Sequence, residues 1–174
     1  NYLFSQCINP TPPNPGSGTG IHYVSFMDIN HFTPIEEGFT KENDSIGFTT
    51  TNAIRGKSDT LMLIISTPTC SGLCPQNVGV WIDWNQNGTF ETFTNEQIYK
   101  QTKVGFSADT IIMPVTIPLN AALGATTMRI GVKNSGVPAL APCTGATQGD
   151  FEDYILNVID SNMRVDSIIT SQIT

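Results

Sequence analysis

Apolar and polar residues alternate in short runs along most of the chain. The strictest run is Thr110–Ile117, where Ile111, Met113, Val115 and Ile117 share one parity. Successive side chains of a strand point to opposite faces, so this spacing predicts a strand with one buried face. Ile21–Ile29 alternates likewise, with Tyr23, Met27 and Ile29 on one side. In Val78–Trp84 the shared face is Val78, Val80 and Ile82; in Thr127–Lys133 it is Met128, Ile130 and Val132; in Phe151–Ile159 it is Tyr154, Leu156 and Val158. Thr60–Ser66 is apolar on both faces and is expected at the centre of a sheet. Asp44–Thr50 is expected to form a further short strand. No window shows an apolar period near 3.6 residues, and Pro118–Leu123 is expected to make a single helical turn at most.

Turn residues separate these runs at short intervals. The pattern predicts an all-β fold, an antiparallel two-sheet β-sandwich of jelly-roll or immunoglobulin-like type. It divides the chain into an irregular arm over 1–20, a sandwich over 21–159 and an extension over 160–174. Pro10, Pro12, Pro13 and Pro15, followed by Gly16, Gly18 and Gly20, exclude helix and central strand from the arm. In the extension Met163, Val165, Ile169 and Ile173 share one parity, with Ser167 and Ser171 between them. That is the pattern of one more strand beyond an apparently complete set. It fits a strand pairing with the domain's own edge, the start of a following domain, or a strand donated to a neighbouring subunit.

Composition narrows the setting. A chain of 174 residues with 39% hydrophobic content can bury a core as one domain. Charged residues are only 13%, with many Ser, Thr, Asn and Gly, which suits an extracellular β-protein better than a cytosolic enzyme. The net charge of -7 argues against nucleic acid and anionic membranes as partners and favours divalent cations. No run approaches the roughly 20 apolar residues of a membrane-spanning helix, and no signal peptide is visible. The start at Asn1 reads as a processed or trimmed product. Four cysteines allow three pairings in an oxidising compartment. The favoured one is Cys70–Cys74 as a local clip with Cys7–Cys143 tying the arm to a late loop. With only His22 and His31 available, and neither in a ligand motif, a zinc site is disfavoured.

One segment concentrates candidate chemistry. In Asp83-Trp84-Asn85-Gln86-Asn87-Gly88-Thr89-Phe90-Glu91 the residues Asp83, Asn85, Asn87, Thr89 and Glu91 fall at alternating positions of an oxygen-rich calcium loop. Thr94 stands where such a loop carries its bidentate Glu, and Glu96 is the nearest substitute. The same Asn87-Gly88 pair is a strong signal for a tight β-hairpin, so the two readings compete. Gly149-Asp150-Phe151-Glu152-Asp153-Tyr154 offers carboxylates for a hydrolase, with Asp150 and Glu152 on one face and Asp153 on the other. Loop satisfaction explains them more simply. No nucleophile elbow, phosphate loop or dinucleotide fingerprint is present. Trp81 and Trp84 lie on opposite faces of their strand, so at most one can stack on a sugar.

The segment Val80–Glu91, the strand Met128-Arg129-Ile130 and the motif Gly149–Tyr154 together resemble the GEVED domain, with Asp150-Phe151 where the family name has Glu-Val. The likeness spans roughly residues 7–159 and includes Tyr23–Ile29 and Asn120–Gly124. It implies a secreted β-sandwich module of bacterial surface proteins, often in the Bacteroidetes, with no catalytic residues to carry over. In that setting Asp44-Ser45-Ile46, Asp59-Thr60-Leu61, Asp109-Thr110-Ile111 and Asp166-Ser167-Ile168 resemble acceptors for O-glycans at Ser45, Thr60, Thr110 and Ser167. The expectation is a non-catalytic, glycosylated extracellular or cell-surface protein of structural or adhesive role. It is expected to assemble with identical subunits into a filament through terminal-strand exchange, without nucleic acid or membrane insertion. The alternatives are a carbohydrate-binding accessory module of a larger enzyme and a hydrolase using Asp150, Glu152 or Asp153.

Overall fold

The computed structural model describes residues 19–33, 39–41, 50–66, 74–91, 94–105, 109–134, 140–143 and 149–161. Within them the chain forms strands and turns and no helix. In chain order the strands are β1 (Gly20–Phe26), β2 (Ile29–Phe32), β3 (Phe39–Lys41), β4 (Thr50–Ile54), β5 (Ser58–Ser66), β6 (Cys74–Ile82), β7 (Gln97–Gly105), β8 (Asp109–Thr116), β9 (Gly124–Asn134) and β10 (Gly149–Ile159).

Two sheets result. The first has the order β2-β1-β5-β8 and is antiparallel throughout. The second has the order β3-β10-β9-β6-β7, with β4 also paired to β10. It corrects the expectation of purely antiparallel sheets, because β3 and β4 both run parallel to β10. Phe39–Lys41 lies along Phe151–Asp153, and Thr50–Ile54 continues the same edge along Ile155–Ile159. These partners are far apart in sequence. No hairpin sets their direction, so the end at which the chain enters the sheet decides it.

One core joins the sheets. Val24, Phe26, Leu61, Leu63 and Val115 from the first pack with Val80, Ile130 and Leu156 from the second. The alternation expected in β6, β8, β9 and β10 is observed. Ile21–Ile29 departs from it. A bulge between Ile21 and Tyr23 shifts the parity, so Ile21, Val24 and Phe26 face inward. The run then folds back at Met27 and Asp28 to start β2. Met27 adopts a φ of 54°, uncommon for a non-glycine residue. Thr51 holds the turn, its hydroxyl accepting from the Asp28 amide at 3.2 Å and donating to the Asp28 carboxylate at 3.0 Å. Pro118–Leu123 is a turn closed by the Ala121 amide on the Pro118 carbonyl at 3.1 Å, with no helix.

The outer face of the second sheet carries its own small core of Trp81, Phe90, Leu140 and Phe151. Two glycines make room for it: a Cβ on Gly79 would sit 2.1 Å from the Trp81 ring, and one on Gly131 2.6 Å from the Phe151 ring. The aromatic rings therefore occupy the space beside glycines on the same strand or its neighbour. Replacing Gly131 with Ala is expected to lower stability by about 1–3 kcal/mol through overpacking. Urea denaturation of the variant measures this, and an unchanged midpoint would mean that the Phe151 ring yields freely.

The acidic loop between β6 and β7

β6 ends at Ile82 and β7 begins at Gln97. The Asn87-Gly88 pair does not join two strands by a tight hairpin, as one reading of the sequence expects. It lies inside a longer loop folded around its own carboxylates. The loop is fastened at both ends of its acidic stretch. Trp84 enters the main core and Phe90 enters the outer one. Backbone bonds add to this. The Asp83 amide donates to the Thr127 carbonyl at 3.1 Å, and the Ala122 amide donates to the Trp84 carbonyl at 2.7 Å. The Thr126 hydroxyl donates to the Asp83 carbonyl.

Asp83 is buried, and its two oxygens accept the amides of Asn87 at 3.1 Å and Gly88 at 3.0 Å. Gln86 and Gly88 take φ values of 57° and 81°, which turn those amides inward. Glu96, also buried, accepts the amides of Asn85 at 3.2 Å and Glu91 at 3.1 Å. Glu91 is gripped from outside. Asn85 Nδ2 donates to it at 3.1 Å and Asn87 Nδ2 at 2.8 Å. Asn87 Oδ1 in turn accepts from the Thr89 amide at 2.8 Å and the Thr89 hydroxyl at 2.6 Å. The expected residues Asp83, Asn85, Asn87, Thr89 and Glu91 thus come together, and Glu96 joins them from beyond the expected stretch. They bind one another and the backbone. Among the described residues no group of three or more His, Cys, Asp or Glu side chains is placed to hold a metal ion.

Burial pushes the carboxyl groups of Asp83 and Glu96 up from the usual carboxylate range. The bound amides pull the other way, and the charges of neighbouring acids add to the rise. No ion pair to Asp83, Glu91 or Glu96 occurs among the described residues.

The second motif is built into the sheets. Arg129, fully buried, donates to both oxygens of Asp153 at 2.7 Å and to the Pro142 carbonyl at 2.7 Å, with its guanidinium carbon 5.1 Å from the Phe90 ring centre. Asp150 accepts the Ile21 amide of the facing sheet at 2.9 Å. Glu152 accepts from the Tyr154 hydroxyl at 2.6 Å, and His31 Nδ1 lies 3.3 Å from that hydroxyl. Asp150 and Glu152 share the inner face and Asp153 the outer one, as the strand period predicts. The sequence had not singled out Lys133. It is buried on β9, and desolvation lowers its pKa. Its odd parity with Arg129 was the available signal.

Trp81 is 0% exposed and Trp84 2%. Neither offers a face to a sugar, within the expected limit of at most one. Thr60 and Thr110 are exposed and point outward from the first sheet on adjacent strands. Ser45, Ser167, Met163, Val165, Ile169, Ile173, Cys7 and Cys70 lie outside the described residues. No cysteine among the described residues is free, and each expected pair has one partner, Cys7 or Cys70, outside them.

The family described as the GEVED domain matches residues 77–157. That stretch runs from β6 to β10 and contains both motifs. No curated protein matches the chain. Two of the similar solved structures are as follows. One is the CARDB domain of a Pyrococcus furiosus protein in complex with di-metal ions, at 11% identity and a TM-score of 0.42, covering 90% of this chain and 98% of that one. The other is a family 123 glycoside hydrolase from Clostridium perfringens, at 14% identity and a TM-score of 0.41, covering 66% of this chain and 23% of that one.

The raised carboxyls link loop stability to pH. A group whose folded pKa lies above its unfolded value contributes stability at acid pH and loses it as pH rises through the folded value. The stability difference between the native chain and Glu96→Gln is therefore expected to be most favourable to the native chain at acid pH and to shrink toward neutrality. Paired denaturation curves across that range measure it, and a pH-independent difference would contradict it.

Proposed function

We propose that the chain, whose residues 77–157 match the GEVED domain, is a non-catalytic extracellular module with a structural or adhesive role. The observation that carries this reading is the use made of the motif acids. Asp153 anchors Arg129, Asp150 anchors β1 and Glu152 anchors Tyr154. Asp153 and Asp150 engaged in this way hold strands together, and Glu152 fixes a side chain on its own strand. In its finer form the proposal is a filament subunit, with identical chains as partners. Its supports are the alternating extension Met163–Ile173 and β8, which ends the first sheet and has no further strand beside it among the described residues. A sheet edge of that kind accepts an added strand, and a contact that does not close on itself propagates. Glycans on Thr60 and Thr110 would decorate the outward face of the same sheet.

Deleting 161–174 is expected to abolish filaments in electron microscopy of the native material while leaving the melting temperature of the domain unchanged. Normal filaments from the truncated chain would sink the assembly proposal. Intact mass of the same material reads the glycans directly.

Calcium at the acidic loop is a second reading. It is favoured by three neighbouring carboxylates, Asp83, Glu91 and Glu96, two of them buried, whose charges oppose one another. A hard divalent cation would relieve that repulsion. Added calcium is then expected to raise the melting temperature of the native chain and not of Asp83→Ala. Equal curves with calcium and with chelator, together with no heat of binding, would remove this reading.

A further inference from the structure

We propose that Asn87-Gly88 is a deamidation site that the folded loop holds shut, with Asp83 as the latch. The reaction is intramolecular. The Gly88 nitrogen gives up its proton and attacks Asn87 Cγ, a C–N bond forms, and the Cγ–Nδ2 bond breaks to release ammonia. Water then opens the resulting cyclic imide at either carbonyl, leaving aspartate or isoaspartate at position 87. The net change is one water consumed and one ammonia released, with no oxidation or reduction. Glycine after asparagine is the sequence that least hinders the attack, because no side chain shields its nitrogen.

The fold opposes the attack. The attacking nitrogen has its N–H aimed at Asp83 Oδ2, 3.0 Å away. A hydrogen bond to an ionised acceptor is among the stronger ones and keeps the proton on nitrogen. Gly88 is buried although Asn87 is exposed. The Asn87 side chain is pinned at both ends, its Oδ1 by the Thr89 amide and hydroxyl and its Nδ2 by Glu91 at 2.8 Å, bonds that oppose attack by fixing its position and not by making its carbonyl less electrophilic. Attack therefore requires the loop to open, and the same carboxylate that closes the loop sets how often that happens. The product cannot return to the same arrangement. A carboxylate at position 87 has no N–H for Glu91 and adds a fourth acid beside Asp83, Glu91 and Glu96. Opening is thereby recorded as an irreversible mark.

The test is the mass of the peptide containing residue 87 after incubation of the full chain in native buffer and in urea. The expected result is slow conversion of the folded chain and fast conversion of the unfolded one. Asp83→Asn in native buffer should convert faster than the native chain by on the order of tenfold, the worth of one hydrogen bond to a charged group. Glu91→Gln, which leaves both Asp83 contacts in place, should give a smaller rise. If Asp83→Asn fails to fold, the comparison of native buffer with urea and the Glu91→Gln rate still decide. Equal rates in the two solvents overturn the proposal. So does a Glu91→Gln rate matching that of the unfolded chain, or a folded Asp83→Asn that converts no faster than the native chain.

Discussion

The buried pair of Arg129 and Asp153 is the contact on which the outer half of the second sheet depends. A guanidinium taken out of water must recover its hydration in direct bonds. Arg129 does so with both Asp153 oxygens, the Pro142 carbonyl and the face of Phe90. Each partner belongs to a different part of the chain. Asp153 is on β10, Pro142 is in the segment after β9, and Phe90 is in the acidic loop. One side chain therefore ties two covering loops to the sheet beneath them. Losing it would leave Asp153 buried without its counter-charge, a change that typically costs about 3–5 kcal/mol. The small core of Trp81, Phe90, Leu140 and Phe151 adjoins this pair, with Trp81 opposite Arg129 in the sheet and Phe90 against its guanidinium.

That arrangement explains which features were legible in the sequence. Ile111, Met113 and Val115 announced β8 because one face of that strand is buried and the other is open. The segregation of Asp150 and Glu152 from Asp153 followed from the same period. β7 was not foreseen, since Gln97–Gly105 is a rim strand with few apolar residues and little burial to enforce a pattern. The parallel pairing of β3 and β4 with β10 had no local signal at all, because it joins distant segments. Opposite faces for Trp81 and Trp84 were correctly read, yet both proved covered. Trp84 enters the main core, and the cover of Trp81 comes from Phe90 and Leu140, residues in loops where no periodicity marks an inward face.

The acidic loop shows the same division between residue types and their arrangement. Its oxygen-bearing positions were plain in the sequence, and so was the turn-forming glycine. Whether Gly88 would link two strands or point its amide at a carboxylate was not, since both uses need the same backbone freedom. The second outcome follows from Trp84 and Phe90. Each anchors in a different core, and a tight hairpin cannot reach both.

Asp153 and the pair Asp83 and Glu96 are all buried acids, but their environments differ in kind. Asp153 faces a fixed cation. Asp83 and Glu96 face backbone amides and one another, and burial raises their carboxyls. Asn85 and Asn87 make this tolerable. An aspartate at either position would add charge and could not donate, whereas each asparagine amide bonds Glu91 and draws it in without a cation. The loop thus supplies from its own side chains part of what a bound ion would supply. A cation entering it must displace those two bonds, so its affinity is reduced by their worth, and the closed loop is a competitor built into the same five residues that invite the ion.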